Sequence, residues 1–471
     1  MMAFRLATAL AGVLLLGGCA SLQLEGNVKQ AAEIAAIAEQ PKLGWTEADR
    51  EESRRVVREL LSKPLSMDDA ARIAVSHSAT TQASLFESAA QSAAATQGAR
   101  LPNPVFAFSH LIRRDEHGAE KEIERSLAFS IVDVLLLPSR IRAADYQQQQ
   151  LRYRLAGDLV QAAAEARQAW IRAVASQQLA AYAGQVKEAA ETGAELARRM
   201  QSVGNYSRLQ RAREQAFYAD AVAQLARSQQ AAMAAREALV RILGLDAAQA
   251  LELKLPERLP DLPGAPDDEA VLAKRALEER IDVRTARAEM EFLARQSGLT
   301  RITSFVDGLH VAAVRNSETG APTQKGYEIE MPLPIFDFGD ARRAQAEASY
   351  MAALYRAAAA GAHATSQVRE SYGSYRTAYD IARHYRDEVV PLRKSIADEM
   401  LLKYNGMLIG VFELLADARQ QVGSVMQAIE AERDFWLAST ALNATLVGRP
   451  LQGGSAPAAR SASPARADEQ H

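Results

Sequence analysis

The stretch YEIEMPLPIFDFGDARRAQA, Tyr327 to Ala346, turns from strand to long helix within a few residues. Tyr327, Ile329, Met331, Leu333 and Ile335 alternate with Glu328 and Glu330, the period of a pleated strand with two unlike faces. Pro332 and Pro334 have no ladder donor, so they mark where pairing ends. FDFG reads as a turn, and the alanine-rich, charge-dotted run after it reads as helix.

The same plan occurs earlier, displaced by about 200 residues, as a duplication. LSMDDAARIAVSHSATTQASLFESAAQSAAATQGARLPNP (Leu65 to Pro104) resembles PDDEAVLAKRALEERIDVRTARAEMEFLARQSGLTRITSF (Pro266 to Phe305). Both are amphipathic runs opened by acids, which suit a helix N-terminus. Each is followed by two alternating segments around a polar loop containing glycine, which predicts β-hairpins over 104–136 and 304–337.

A long helical stretch closes each copy. Ser139 to Leu255 holds no proline, and Ile335 to Arg449 holds only Pro391, where a kink or break is expected. Arg140 to Arg199 alone would span roughly 90 Å as unbroken helix, a length that calls for coiled-coil partners. Glycines interrupt both stretches, which makes Gly204, Gly406 and Gly410 candidates for the tips of helical hairpins. The divisions predicted are thus 1–18, 19–64, a first repeat 65–255, a linker 256–266 (PERLPDLPGAP), a second repeat 267–450 and a disordered tail 451–471.

Among 471 residues there is one cysteine, Cys19. It ends MMAFRLATALAGVLLLGGCAS, with a basic residue, an apolar core and LGGC, the lipobox pattern of a bacterial lipoprotein signal. Small residues at Gly17 and Gly18 suit the peptidase, and the Cys19 thiol takes the diacylglycerol. Ala20 is not the aspartate that retains lipoproteins at the inner membrane, so the outer membrane is the expected site. The net charge of -3 gives no global basic field for nucleic acid.

In EIERSLAFSI, Ile123, Leu127, Phe129 and Ile131 share a face broken only by Arg125, opposite Glu122, Glu124, Ser126 and Ser130. Such strands fit lipid on one side and water on the other, and also a half-buried soluble sheet, on general grounds the commoner case. Four strands cannot close a barrel, and open edges are not tolerated in lipid. A symmetric trimer would supply about twelve strands and remove every edge. The fold class expected is therefore mainly α with a small β part: duplicated coiled-coil hairpins forming an α-barrel tunnel, and four strands per chain in a trimeric outer-membrane β-barrel.

LSMDDAARIA, ARLPNP, PLPIFDFGDARRAQAEA, VVPL and YNGMLIGVFELLADAR, in this order and with the duplication, resemble the outer membrane factors, the TolC-like channel–tunnel family, over roughly Leu65 to Arg449. The resemblance implies a homotrimeric exit duct in the outer membrane with a large periplasmic tunnel. Its implied partners are a periplasmic adaptor and an inner-membrane transporter, and it performs no chemistry. It also implies acids near the second tip that ring the periplasmic aperture, with Glu413 and Asp417 as counterparts. Efflux and type I protein secretion both remain open, as does a lipid-anchored coiled-coil scaffold without a pore.

Alignment of the tips on Gly204 and Gly410 sets Arg211 opposite Asp417, and Arg208 and Arg213 lie alongside. Arg208, Arg211, Glu413 and Asp417 are the expected gate, with solvated surface charge as the alternative. Glu122, Glu124, Glu328 and Glu330 are expected in the barrel lumen, where they favour cations or are simply solvated. No catalytic site, metal site or cofactor beyond the lipid on Cys19 is expected: the seven histidines lack ligand spacing, and there is no phosphate loop or nucleophile elbow.

Overall fold

The computed structural model describes residues 24–37, 41–115, 118–269, 272, 280–303, 309–331 and 335–451. Cys19 with its signal, Pro332, Leu333, Pro334 and the tail beyond residue 451 lie outside the described residues. The chain divides into two compact units, each built from three segments.

The first unit comprises Met1–Ile34, Ser84–Ala156 and Ile281–Ala362. It carries α1 (Leu24–Ile34), most of α4 (Ala79–Gly98), the start of α5 (Ile131–Ser202), α8 (Ile281–Thr303) and the start of α9 (Asp340–His384). Its sheet is antiparallel in the order β1 (Val105–Asp115), β2 (Gly118–Ser130), β3 (His310–Glu318), β4 (Gln324–Glu330). The sheet is open, with β1 and β4 at its edges.

Both hairpins are shorter than the sequence patterning predicts. Residues 131–136 belong to helix: Ile131 N–H donates to Leu309 O at 3.0 Å, the last such bond among the described residues, and Asp133 N–H then donates to Ser130 Oγ at 3.3 Å. Ser130 thus acts as an N-cap, and α5 begins at the residue after it. The helix continues across Pro138. In the second hairpin the strands span 310–318 and 324–330, with 304–308 outside the described residues. FDFG is the predicted turn: Gly339 has φ +70, and its N–H donates to Asp337 Oδ1 at 2.7 Å before α9 starts.

A polar knot ties α1 to α4 and α5. The Asn27 amide donates to Ser92 Oγ (2.7 Å) and Gln148 Oε1 (2.8 Å), while Arg152 Nε donates to Asn27 Oδ1 at 2.7 Å. Asn27 and Ser92 are buried, so each polar atom needs these partners.

The second unit comprises Ala35–Ala83, Gly157–Arg280 and His363–His471. The run predicted as one amphipathic segment begins as two helices, α3 (Met67–Ser76) and α4, separated at His77 and Ser78. α3 with α2 (Glu47–Leu61), α5, α6 (Arg208–Leu243) and α7 (Ala247–Glu252) encloses Leu61, Leu65, Ile73, Trp170, Leu239 and Leu243. Trp170 Nε1 donates to Leu65 O at 2.7 Å, which satisfies the buried indole. A second cluster gathers Val368, Tyr375, Tyr379, Phe435 and Leu442 from α9 and α11 (Val411–Leu446). The predicted linker lies against it, with Tyr379 Oη donating to Pro263 O and Gly264 O.

Pro391 has the expected effect in a specific form. The helix widens to a π turn over Tyr385–Val389, and Val390 N–H reaches Tyr385 O before α10 (Val390–Asn405) continues with the proline in its first turn. Widening removes the need for the N–H that proline lacks.

Glu432, half-buried in α11, is pushed up to about 7, first by burial and then by Asp261, against Arg258 and Arg386. A carboxyl raised above its ordinary 4.5 is stabilising only while protonated, so its contribution is lost as pH climbs from about 4.5 through about 7. Glu432→Gln is therefore expected to raise the melting temperature at pH 8 while leaving that at pH 4.5 nearly unchanged. Thermal melts at both pH values measure it; an unaltered gap between them would rule Glu432 out as the cause.

Candidate functional site

Two regions concentrate the candidate residues: the sheet of the first unit and the helical tips of the second. Directly paired residues in an antiparallel sheet share a face, so the register sorts every side chain. Phe106, Leu127, Ala313 and Tyr327 form one row, and Phe129, Val311 and Ile329 form the next. Exposed Ile131, Val134, Leu135, Ile335 and Phe336 follow where the chain passes into α5 and towards α9. A contiguous apolar surface of this kind calls for lipid or another protein.

The opposite face is acidic. All six strand glutamates, Glu120, Glu122, Glu124, Glu318, Glu328 and Glu330, lie on it, with Val105, Leu111 and Val314 as its large apolar exceptions. Glu328 pairs with Ala312 and thence Ala128, four residues from Glu124, so the expected acids form two groups whose nearest members stand about 13 Å apart. Asn316 Nδ2 donates to Glu122 Oε1 at 2.9 Å. The four predicted lumen residues thus share one face, and Glu120 and Glu318 join them.

Both tips close in the same way. Gly204 N–H donates to Gln201 O (3.0 Å) and Asn205 N–H to Met200 O (2.9 Å). In the second copy Met407 N–H donates to Tyr404 O (3.0 Å) and Leu408 N–H to Lys403 O (2.9 Å). This is the paired C-terminal closure of a helix, and its pivotal residue needs positive φ. Gly204 supplies it at +81, but the second tip uses Met407 at +58, whereas Gly406 sits at −76. Gly410 is the N-cap of α11, the counterpart of Ser207, which caps α6 with Gln210 in a capping box.

These equivalences correct the tip frame. Gly204 matches Met407 and Ser207 matches Gly410, so the counterpart of Asp417 is Glu214 and not Arg211. Among the described residues none of Arg208, Arg211, Glu413 and Asp417 pairs with another of the four. Arg211 Nη1 donates instead to Gln201 Oε1 at 2.9 Å, within its own hairpin.

The ion pair that joins the two hairpins was missed by sequence reasoning. Glu214 is 2% exposed, and Arg419 Nη2 lies 2.6 Å from its Oε1 as a close charge contact without hydrogen-bond alignment. Arg419 also covers the Phe217 ring at 4.4 Å, and Arg213 covers Phe412 at 5.7 Å. Each hairpin therefore gives the other one arginine and one aromatic ring. Gly193 lies beside the pair: a Cβ there would make ordinary contacts at 3.8 Å with Glu214 Oε2 and 4.0 Å with Leu415 Cδ2. The buried Tyr206 hydroxyl is held above its ordinary pKa, first by desolvation and then by Glu214. In sequence Glu214 looks like a solvated helix charge, flanked by Arg211 and Arg213; only its approach to α11 buries it.

Among the described residues no group of histidine, cysteine and carboxylate side chains is placed to hold a metal, and no helix is long and apolar enough to cross a membrane. A cavity of about 360 Å³ in the first unit is lined by Gln30, Ile34, Asp145, Gln149, Arg152 and Tyr153, without a histidine, serine or cysteine.

No family profile matches the sequence, and no curated protein does so either. Solved structures do match. The outer membrane protein VceC from the bacterial pathogen Vibrio cholerae is 13% identical with a TM-score of 0.67, covering 87% of this chain and 99% of its own. A membrane protein from Pseudomonas aeruginosa is 17% identical with a TM-score of 0.68, covering 87% and 97%. The CmeC outer membrane channel of Campylobacter jejuni is 13% identical with a TM-score of 0.61, covering 90% and 93%. The fold is therefore one shared with outer-membrane channel chains: largely helical, with one small sheet that stays open in the single chain.

Proposed function

We propose that this chain is one third of an outer membrane factor of the TolC-like kind, a passive exit duct for efflux. The observation that carries the reading is the sheet: it is open at both edges, apolar on one face and acidic on the other. Three copies close about twelve strands into a barrel, which leaves no edge unpaired in lipid. Apolar residues then meet the membrane, and the six glutamates of each copy line the water. The helices that leave the barrel wall the conduit, and their tips form its inner end.

Cys19 carries the lipid that tethers the chain to the outer membrane, and the bulk of the helices lies in the periplasm. Val203, Leu209, Met407 and Leu408 are exposed at the tips and offer apolar contacts to a periplasmic adaptor, which links the duct to an inner-membrane transporter. The Glu214–Arg419 pair holds the two hairpins of each copy together in the closed tip. Arg208, Glu413 and Asp417 are left for contacts between copies. The transporter selects the cargo, so the duct needs no binding pocket of its own.

The decisive experiment is purification of the full chain in mild detergent, followed by planar-bilayer recording. An SDS-resistant trimer that conducts is expected, with labelled palmitate incorporated by the wild type and not by Cys19→Ser. A silent monomer would refute the duct.

Glutamates on the water-facing side predict cation preference. Replacement of Glu122, Glu124, Glu328 and Glu330 by glutamine together should shift the reversal potential in a tenfold salt gradient by tens of millivolts, towards zero. An unmoved potential would mean that these acids are merely solvated.

A further inference from the structure

The apolar face of the sheet is interrupted by a row of three cations. Arg125 pairs directly with Arg315, and Arg315 pairs directly with Lys325, across three neighbouring strands. Strands lie about 4.8 Å apart, so three like charges fall within about 10 Å. Like charges directly opposed are unfavourable in a sheet. Nothing on this face relieves them: every strand glutamate lies on the other side, and among the described residues none of the three forms an ion pair.

The row also has a defined height. It stands two residues, about 7 Å, beyond the Phe106–Leu127–Ala313–Tyr327 row on the loop side. Lys121 and Arg114 lie farther towards the loops on the same face. All the cations of this face therefore sit on the loop side of that row, interleaved there with Phe108, Ile123 and Ile112, so that a mixed rim borders the apolar band. Long basic side chains at such a rim hold their stems on apolar surface and their heads at the interface. Guanidinium groups fit phosphate oxygens two at a time, which suits a phosphate-bearing headgroup better than bulk water.

We propose that Arg125, Arg315 and Lys325 form a docking row for the phosphate groups of an anionic lipid in the leaflet that surrounds the hairpin ends. The inference rests on the barrel reading above, and it adds a site for a particular lipid chemistry. In the closed barrel the row would recur once per chain and make an interrupted belt of cations. An occupying phosphate would neutralise the repulsion that the register imposes and fix the barrel's depth in the bilayer.

The test uses full-length trimer in detergent, titrated with bisphosphorylated lipid A and followed by native mass spectrometry. Binding is expected to weaken at least tenfold for dephosphorylated lipid A and for the triple variant Arg125→Gln, Arg315→Gln, Lys325→Gln. Arg113→Gln, on the acidic face, should bind like the wild type. Millimolar inorganic phosphate should not displace the lipid; displacement would show a free-anion site and overturn the lipid assignment. Equal binding by the triple variant, or by dephosphorylated lipid, would overturn the proposal outright. Should the triple variant fail to form trimer, Arg315→Gln alone decides, with about threefold weaker binding expected and no change refuting it. Trimer and conductance of the wild type are measured in the same preparation, so loss of the duct reading shows itself separately.

Discussion

Replacing Arg419 with alanine is expected to leave the tunnel tip open. Glu214 would stay buried without its cation, and removal of one member of a buried ion pair costs about 3–5 kcal/mol. Of the charged links between the tips, Arg213 over Phe412 remains, worth about 0.5–1 kcal/mol at an exposed site. The loss exceeds what these charged links retain, so the hairpins should part at their tips while the apolar packing farther along the helices holds. Single-channel conductance in planar bilayers should rise several-fold, with trimer migration unchanged. The paired variant Glu214→Gln with Arg419→Gln leaves no buried charge unmatched, so its conductance should rise less. Wild-type conductance in Arg419→Ala would remove the pair from the closing mechanism, and a thermal melt of the same protein separates tip opening from global unfolding.

The second large effect is expected at the sheet. Leu127 stands between Phe106 and Ala313 in the apolar row. An arginine facing lipid at mid-depth costs about 2–4 kcal/mol. A symmetric assembly of three chains incurs that cost three times, so Leu127→Arg should abolish SDS-resistant trimer in outer-membrane fractions. Ser126→Arg changes the neighbouring residue on the water-facing side and should assemble normally. Equal behaviour of the two variants would show that neither face meets lipid, which would favour a coiled-coil scaffold.

Much of the fold is legible residue by residue. The alternation of Tyr327, Glu328, Ile329 and Glu330 depends only on the two-residue period of a strand, and the register leaves those faces as read. Pro391 announces its distortion because a missing N–H is a local property. The hairpin ends were less legible. Ile131, Val132 and Val134 read as strand by propensity, yet Ser130 caps a helix that begins at Ile131. Tip chemistry misled in a different way: glycine is the usual residue at positive φ, so Gly406 and Gly410 drew attention from Met407.

By itself the sequence determined the duplication, the two hairpins, the long helices and the unlike faces of each strand. All of these follow from periodicity and from residues that permit or forbid a local backbone. The tertiary structure alone decided which distant residues meet. Arg125 finds Arg315 through a register between strands far apart in the chain, and Glu214 finds Arg419 because two hairpins pack side by side. Local propensity encodes neither meeting, since a helix or strand forms equally well whichever charge it presents. Burial and repulsion arise only when the second element arrives.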